Sequence, residues 1–170
     1  SWNIAQGARY ERVRDALAAM DADVYLLQEV DMGVRRSDYR SVAKDLADDL
    51  GLNWVFAGEF QEIGQSRRNI PAITGQAVLS RYPIRNAFAL PFENQARLRW
   101  NLDPFQPRRG GRMALRAESG GVLVYNAHIE SVGADYRAVG DATEAALRTL
   151  AEKAGVRLRH LRLGVNPFDS

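Results

Sequence analysis

The stretch DADVYLLQEV (residues 21–30) carries four bulky apolar side chains in a row, Val24, Tyr25, Leu26 and Leu27, and then turns polar at Gln28-Glu29. A short apolar run of this kind reads as a buried core strand, over Val24–Gln28. It then sets a carboxylate where the sheet ends. The flanking sequence supplies what would cover such a strand. Upstream, Tyr10, Val13, Leu17 and Met20 recur at helical spacing, with Glu11, Arg12, Arg14 and Asp15 between them, which predicts a helix from about Arg9 to Met20. Downstream, a second helix is expected from Ser37 or Asp38, with Tyr39, Val42, Ala43, Leu46 and Leu50 on one face and Gly51 as its stop.

The rest of the chain reads mostly as strands. NWVFAGEF (53–60), QAVLSRYPI (76–84) and RNAFALPF (85–92) are strand candidates, separated by a polar loop at 62–72. RMALRAESGGVLVYN (112–126) reads as a hairpin turning at Ser119-Gly120-Gly121, and a third helix is expected from about Ala142 to Ala154. Residues 93–111 have no period and are expected as a long loop, the kind of segment that often carries function. The order is strand, helix, strand, helix, then mainly strands. It predicts an α/β layered fold with a mixed sheet, in a single domain over residues 1–170.

Composition narrows the chemistry. The 170 residues include no cysteine, so disulfides and thiolate metal sites are excluded, and the two histidines leave oxygen as the main metal donor. No apolar run is long enough to span a membrane as a helix. No leader is evident, and the cytoplasm is the default expectation. The chain begins at Ser1-Trp2-Asn3-Ile4 without a methionine, as if cut into a strand, and is expected to be a piece of a longer protein. Its net charge of +2 is unevenly spread: residues 1–62 balance to −5 and residues 63–170 to +7. Between Arg67 and Arg116 stand ten arginines against only Glu93 and Asp103. Such a skew can steer an anion; equally, it can be a solvated surface.

Polar residues of one chemical kind fall at strand ends. Asn3 lies in SWNI, Glu29 follows VYLLQ, and Asn126 and His128 close VLVYNAHIE. Ligands gather at strand ends in open α/β sheets. Magnesium prefers carboxylate and amide oxygens, so Glu29 with Asn3 suits it. His128 can activate a water or meet a phosphate oxygen, and Arg112 can grip a phosphate with two nitrogens. Each residue alone has a bland reading: a solvated loop carboxylate, a hydrogen-bonded structural histidine, one arginine among many. Together they reach a possible oxygen-ligand metal site.

At these residues the chain resembles the endonuclease/exonuclease/phosphatase superfamily, which includes pancreatic deoxyribonuclease, abasic-site endonucleases, sphingomyelinases and inositol polyphosphate 5-phosphatases. It is most similar to small bacterial members. The resemblance rests on SWNI, DADVYLLQEVD, LADDLGLNWVFAGEF, TGQAVLSRYPI, RGGRMALRAE and VLVYNAHIES, in the family's order, over residues 1 to about 131. It implies a four-layered α/β/β/α sandwich and hydrolysis of a phosphate ester by water with magnesium, or manganese. In that picture Glu29 is the metal ligand with Asn3 beside it. His128 meets the scissile phosphate with Asn126 nearby, and Arg112 is a candidate phosphate contact. Gln76 stands where many members have Asn. Nucleic acid, phospholipid and inositol phosphate all occur as substrates in the family. Loop 93–111, with Arg97, Arg99, Trp100, Arg108 and Arg109, is the expected substrate contact.

Two family motifs have no match. One is a Gly-Asp-x-Asn that orients the water; the other is a C-terminal Ser-Asp-His. VGDAT (139–143) offers Asp141, better read as a helix cap. RLGVNPF (162–168) offers Asn166 without an aspartate, and the final FDS is not Ser-Asp-His. The departures leave an alternative: an inactive module on the same fold that binds an anion or nucleic acid. Trp54, Trp100 and Tyr82 could stack on bases in such a module, but are read first as core or loop packing.

Overall fold

The apolar run of residues 24–27 lies in β2 (Val24–Met32), inside a five-stranded sheet. The structure is a computed structural model and describes residues 1–68, 70–92 and 107–128. These all belong to the first of two compact units, Ser1–Ala134; the second, Asp135–Ser170, lies wholly outside them, as does the expected third helix. The elements are β1 (Trp2–Asn3), α1 (Tyr10–Met20), β2, α2 (Val42–Leu50), β3 (Asn53–Glu62), β4 (Ile73–Ser80), β5 (Ile84–Pro91), β6 (Arg108–Gly110), β7 (Met113–Ser119) and β8 (Val122–Ala127). The larger sheet runs β1-β2-β4-β3-β6, with β1 parallel to β2 and the other pairs antiparallel. The smaller runs β5-β7-β8, all antiparallel.

The unbroken apolar run follows from burial on two sides. Leu27, Ala77 and Leu79 of the larger sheet pack with Val13 and Leu17 of α1 and Val42 and Leu46 of α2. Their neighbours Leu26 and Val78 point the other way, into a second cluster with Leu115, Ala117 and Val124 of the smaller sheet. Each buried Leu or Val contributes roughly 1.5–3 kcal/mol of burial free energy, so neither face can be made polar cheaply. The described residues thus form three layers: helices, the five-stranded sheet and the three-stranded sheet. The Tyr10 hydroxyl donates to Asp49 Oδ2 at 2.8 Å and ties the two helices together.

Two expectations are corrected. The second helix starts at Val42, not at Ser37 or Asp38. Asp38 and Tyr39 both have left-handed backbone, at φ 56° and 58°, which no α-helix accepts. And β2 does not stop at Gln28. It continues to Met32 through a bulge between Gln28 and Val30, where Glu29 takes φ 52°.

A matching bulge interrupts β3 between Gly58 and Phe60. The two bulges flank Gly75 of β4: the first falls between the pairs Gln28–Gln76 and Val30–Gly75, the second between Gly58–Gly75 and Phe60–Thr74. A bulge inserts one unpaired residue and re-aims its side chain. Here both inserted residues are glutamates, Glu29 and Glu59. Gly75 lies between the bulges because nothing larger fits: a Cβ there would stand 2.0 Å from the Ala57 carbonyl oxygen. Gly75→Ala is therefore expected to cost at least about 2 kcal/mol, through overpacking against backbone that cannot swing aside. Urea unfolding of the variant checks this; an unchanged midpoint would mean the bulges can absorb a methyl group.

Candidate active site

Glu29 is carried by the β2 bulge, half-buried, with its carboxylate turned to where β8 ends. His128 follows β8 directly, and its Nε2 lies 3.9 Å from Glu29 Oε1. That is too long for a hydrogen bond but close enough for one ligand to touch both. The other ring nitrogen, Nδ1, lies 3.1 Å from Arg112 Nη1. Arg112, just before β7, is buried and also donates from Nη1 to Glu59 Oε2 at 3.0 Å. Four residues from two sheets therefore form a file, Glu29–His128–Arg112–Glu59.

The pair Asn3 and Asn126 separates from that file. Asn3 is exposed at the end of β1, and its Oδ1 accepts the Ala5 N–H at 3.0 Å, closing the turn at Ala5–Gly7. Asn126 is 1% exposed. Its Nδ2 donates to the Leu27 and Ala77 carbonyls at 2.8 and 3.0 Å, and its Oδ1 accepts from Gln28 Nε2. All its polar atoms are engaged in pinning β8 to β2 and β4. It lies two residues before His128, on β8, buried between the two sheets.

Gln76, at a position where an amide of different length was anticipated, is fully buried beneath Arg112. Its Nε2 donates to Glu59 Oε1 at 2.9 Å and to the Met113 carbonyl at 2.7 Å. Arg108 and Arg109 lie on β6, a short strand missed in the expected loop, which pairs with β3 at Phe60–Glu62. The Arg108 guanidinium stacks 4.2 Å from the Phe60 ring centroid and that of Arg112 5.0 Å from it, so the buried Phe60 ring brings two cations together. Arg97, Arg99 and Trp100 lie outside the described residues, as do Asp141 and Asn166. Trp54, expected as packing, is 40% exposed, and Tyr82 45%. No described helix is long and apolar enough to cross a membrane.

Two polar residues near the site, Glu59 and Gln28, lie in stretches that carry the family resemblance but are not singled out by it. Both are buried polar side chains inside strands. The one sequence signal for Glu59 was a charge amid AGEF, in a strand otherwise apolar at its core-facing positions. Burial raises the Glu59 carboxyl above its ordinary range, and the Arg112 charge and the donors at Gln76 and Met113 oppose that shift.

A sequence model described as the Endonuclease/Exonuclease/phosphatase family matches residues 1–162. The chain belongs to this family. Among solved structures it resembles an endonuclease/exonuclease/phosphatase from Beutenbergia cavernae DSM 12333, at 19% identity and a TM-score of 0.55, over 83% of this chain and 37% of that one. It also resembles ANGEL2, a 2',3'-cyclic phosphatase, at 20% identity and a TM-score of 0.50, over 88% of this chain and 38% of that one. The chain thus spans less than two fifths of either. Comparison with curated proteins finds no match. The endonuclease/exonuclease/phosphatase fold is a layered α/β one, in line with the two sheets and helical layer described above.

Proposed function

We propose that this chain carries active-site residues of a phosphohydrolase that uses a divalent cation, magnesium or manganese, to hydrolyse a phosphate ester by water. The observation that carries this reading is the Glu29 carboxylate, placed on a bulge within reach of the His128 ring. Membership of the endonuclease/exonuclease/phosphatase family supports the reaction class.

The donor set fits such an ion. No group of three or more metal-ligating His, Asp or Glu residues occurs among the described residues. Magnesium does not need one, since it is commonly held by one or two carboxylates and otherwise by waters and the substrate's phosphate. Glu29 would hold it, with Asn3 at the neighbouring strand end. When bound, the ion would polarise the phosphate and lower the pKa of a water.

The chain's own residues then have distinct tasks. His128 presents a ring nitrogen to a phosphate oxygen on the Glu29 side. Arg112 lies behind it and adds positive charge where negative charge grows at the phosphorus. Asn126 fixes the strand that delivers His128. Arg108 and Arg109, with Arg97, Arg99 and Trp100 of the loop at 93–111, would contact the rest of the substrate. That substrate is an anionic ester, with phosphodiester and phosphomonoester both open.

Purified chain should hydrolyse bis-p-nitrophenyl phosphate when magnesium or manganese is added, and stop with excess chelator. A folded chain that shows no turnover with either metal, yet binds anionic polymers in a salt-sensitive way, would replace this reading by that of an inactive binding module.

A further inference from the structure

We infer that Arg36 is a positioning residue of this site: it locks both bulges in register and so fixes where the Glu29 carboxylate stands. The effect on a bound cation rests on the reading just given, while the lock itself does not. Arg36 belongs to the turn Arg35–Ser37, in the loop that follows β2. Its guanidinium turns back onto three strands at once. Nε donates to Asp31 Oδ2 of β2 at 2.9 Å. Nη2 meets Asp31 Oδ1 at 2.8 Å, Thr74 Oγ1 of β4 at 2.7 Å and Glu62 Oε1 of β3 at 3.1 Å. Asp31, Thr74 and Glu62 are all buried. A guanidinium is a rigid planar fork, so it sets both the spacing and the angle of the groups that it grips.

The place of the grip gives it a role. Thr74 pairs with Asp31 on one side and with Phe60 on the other, one rung from Gly75, which the two bulges flank. Glu29 is the extra residue of the first bulge, at φ 52°. A residue other than glycine is strained there and persists only where its surroundings over-determine it. Before the bulge, Leu27 and Ala77 are held by packing in the helix-facing cluster, and beyond it Val30 belongs to the same cluster. Alternation then puts Asp31 on the opposite face, where Arg36 meets it. A ladder that closed up over Glu29 would relieve the strain and slide the rest of β2 by one residue, turning Asp31 to the helix side. Asp31 would lose Arg36 and Thr74, and a buried carboxylate would stand among apolar side chains. The ion pairs therefore oppose the slip, and the side chain that they keep in the break of the ladder is Glu29.

Two measurements on the full chain test this role: manganese binding by electron paramagnetic resonance, with Glu29→Ala to assign the site, and amide hydrogen exchange. Arg36→Lys keeps the charge and removes the fork. It should raise the manganese concentration for half-occupancy by about tenfold. Amide protection should fall by at least about tenfold at residues 30–32, 60–62 and 73–75, and hold at 24–27 and 77–80. Thr74→Val, which removes only a hydroxyl, should shift manganese binding by about threefold, and carries the test if Arg36→Lys does not fold. Val13→Ala, a truncation in α1, should lower stability and leave manganese binding unchanged. A folded Arg36→Lys that binds manganese like the wild type overturns the role, as does protection lost evenly over the whole sheet. A wild type that binds no manganese through Glu29, with the exchange pattern as expected, would refute the proposed function and leave the lock standing.

Discussion

Glu29→Ala is expected to abolish metal-dependent phosphate-ester hydrolysis, by at least about a hundredfold, while leaving the fold intact. Both halves follow from where the residue lies. Its side chain is 30% exposed and lies 3.9 Å from His128 Nε2, beyond hydrogen-bond reach, so little packing or hydrogen bonding is lost on truncation. The bulge survives because backbone pairing on either side of it, Gln28 with Gln76 and Val30 with Gly75, does not involve the side chain. Alanine at φ 52° is no worse placed than glutamate. What is lost is a carboxylate that faces the ring, and with it the hard oxygen the cation needs. Initial rates with magnesium and with manganese, beside a thermal melt, decide the matter. Glu29→Gln should fail almost as badly, because an amide oxygen is a weaker ligand of the same shape. Full activity in either variant would move the metal site elsewhere in the chain.

The parts of this molecule that were legible in its sequence are those governed by periodicity. The helical repeat of Tyr10, Val13 and Leu17 survives as α1, and the apolar run at 24–27 is a strand buried on both faces. The hairpin at Ser119-Gly120-Gly121 is the β7–β8 turn. What periodicity cannot show is the place where it is broken. A bulge shifts the alternation by one residue, so Glu29 looks like the end of a strand when it is an insertion within one. Glu59 looks like an exposed charge in a half-buried strand when it is 5% exposed. Strand β6 was invisible for a different reason: Arg108-Arg109-Gly110 has no β-branched or aromatic residue, and it pairs with β3 just past the bulge, at Phe60–Glu62. The residues that a motif could find, Glu29, His128 and Arg112, meet in one file; Glu59, which bonds Arg112 at its far end, could be found only from contacts.

Arg36→Met should destabilise the fold more than any surface change, by about 3–5 kcal/mol at neutral pH. Arg36 is the counter-charge to two carboxylates with fully buried side chains, Asp31 and Glu62. Its Nε and Nη2 grip Asp31 at 2.9 and 2.8 Å, and Nη2 also reaches Glu62 Oε1 at 3.1 Å and Thr74 Oγ1 at 2.7 Å. Methionine keeps much of the arginine stem's volume and removes the charge, so the loss reports electrostatics rather than a cavity. The pH dependence has a definite sign. Burial raises the Asp31 carboxyl above its ordinary value, against the pull of Arg36 and Thr74. A raised folded value means that stability is present below the ordinary carboxylate range and is lost as pH rises through the folded value. Thr74 Oγ1 lies 2.6 Å from Asp31 Oδ1 and 2.8 Å from Glu62 Oε1, so its single hydroxyl proton serves only one of them at a time, and a proton on Asp31 eases the other contact. The gap between Arg36→Met and wild type should therefore narrow as pH falls from neutral toward the ordinary carboxylate range. Denaturant melts of both proteins across that range test it. A gap that stays constant would mean that the carboxylates are solvated in the variant, and that the cluster orders residues 33–41 without holding a charge in the dry interior.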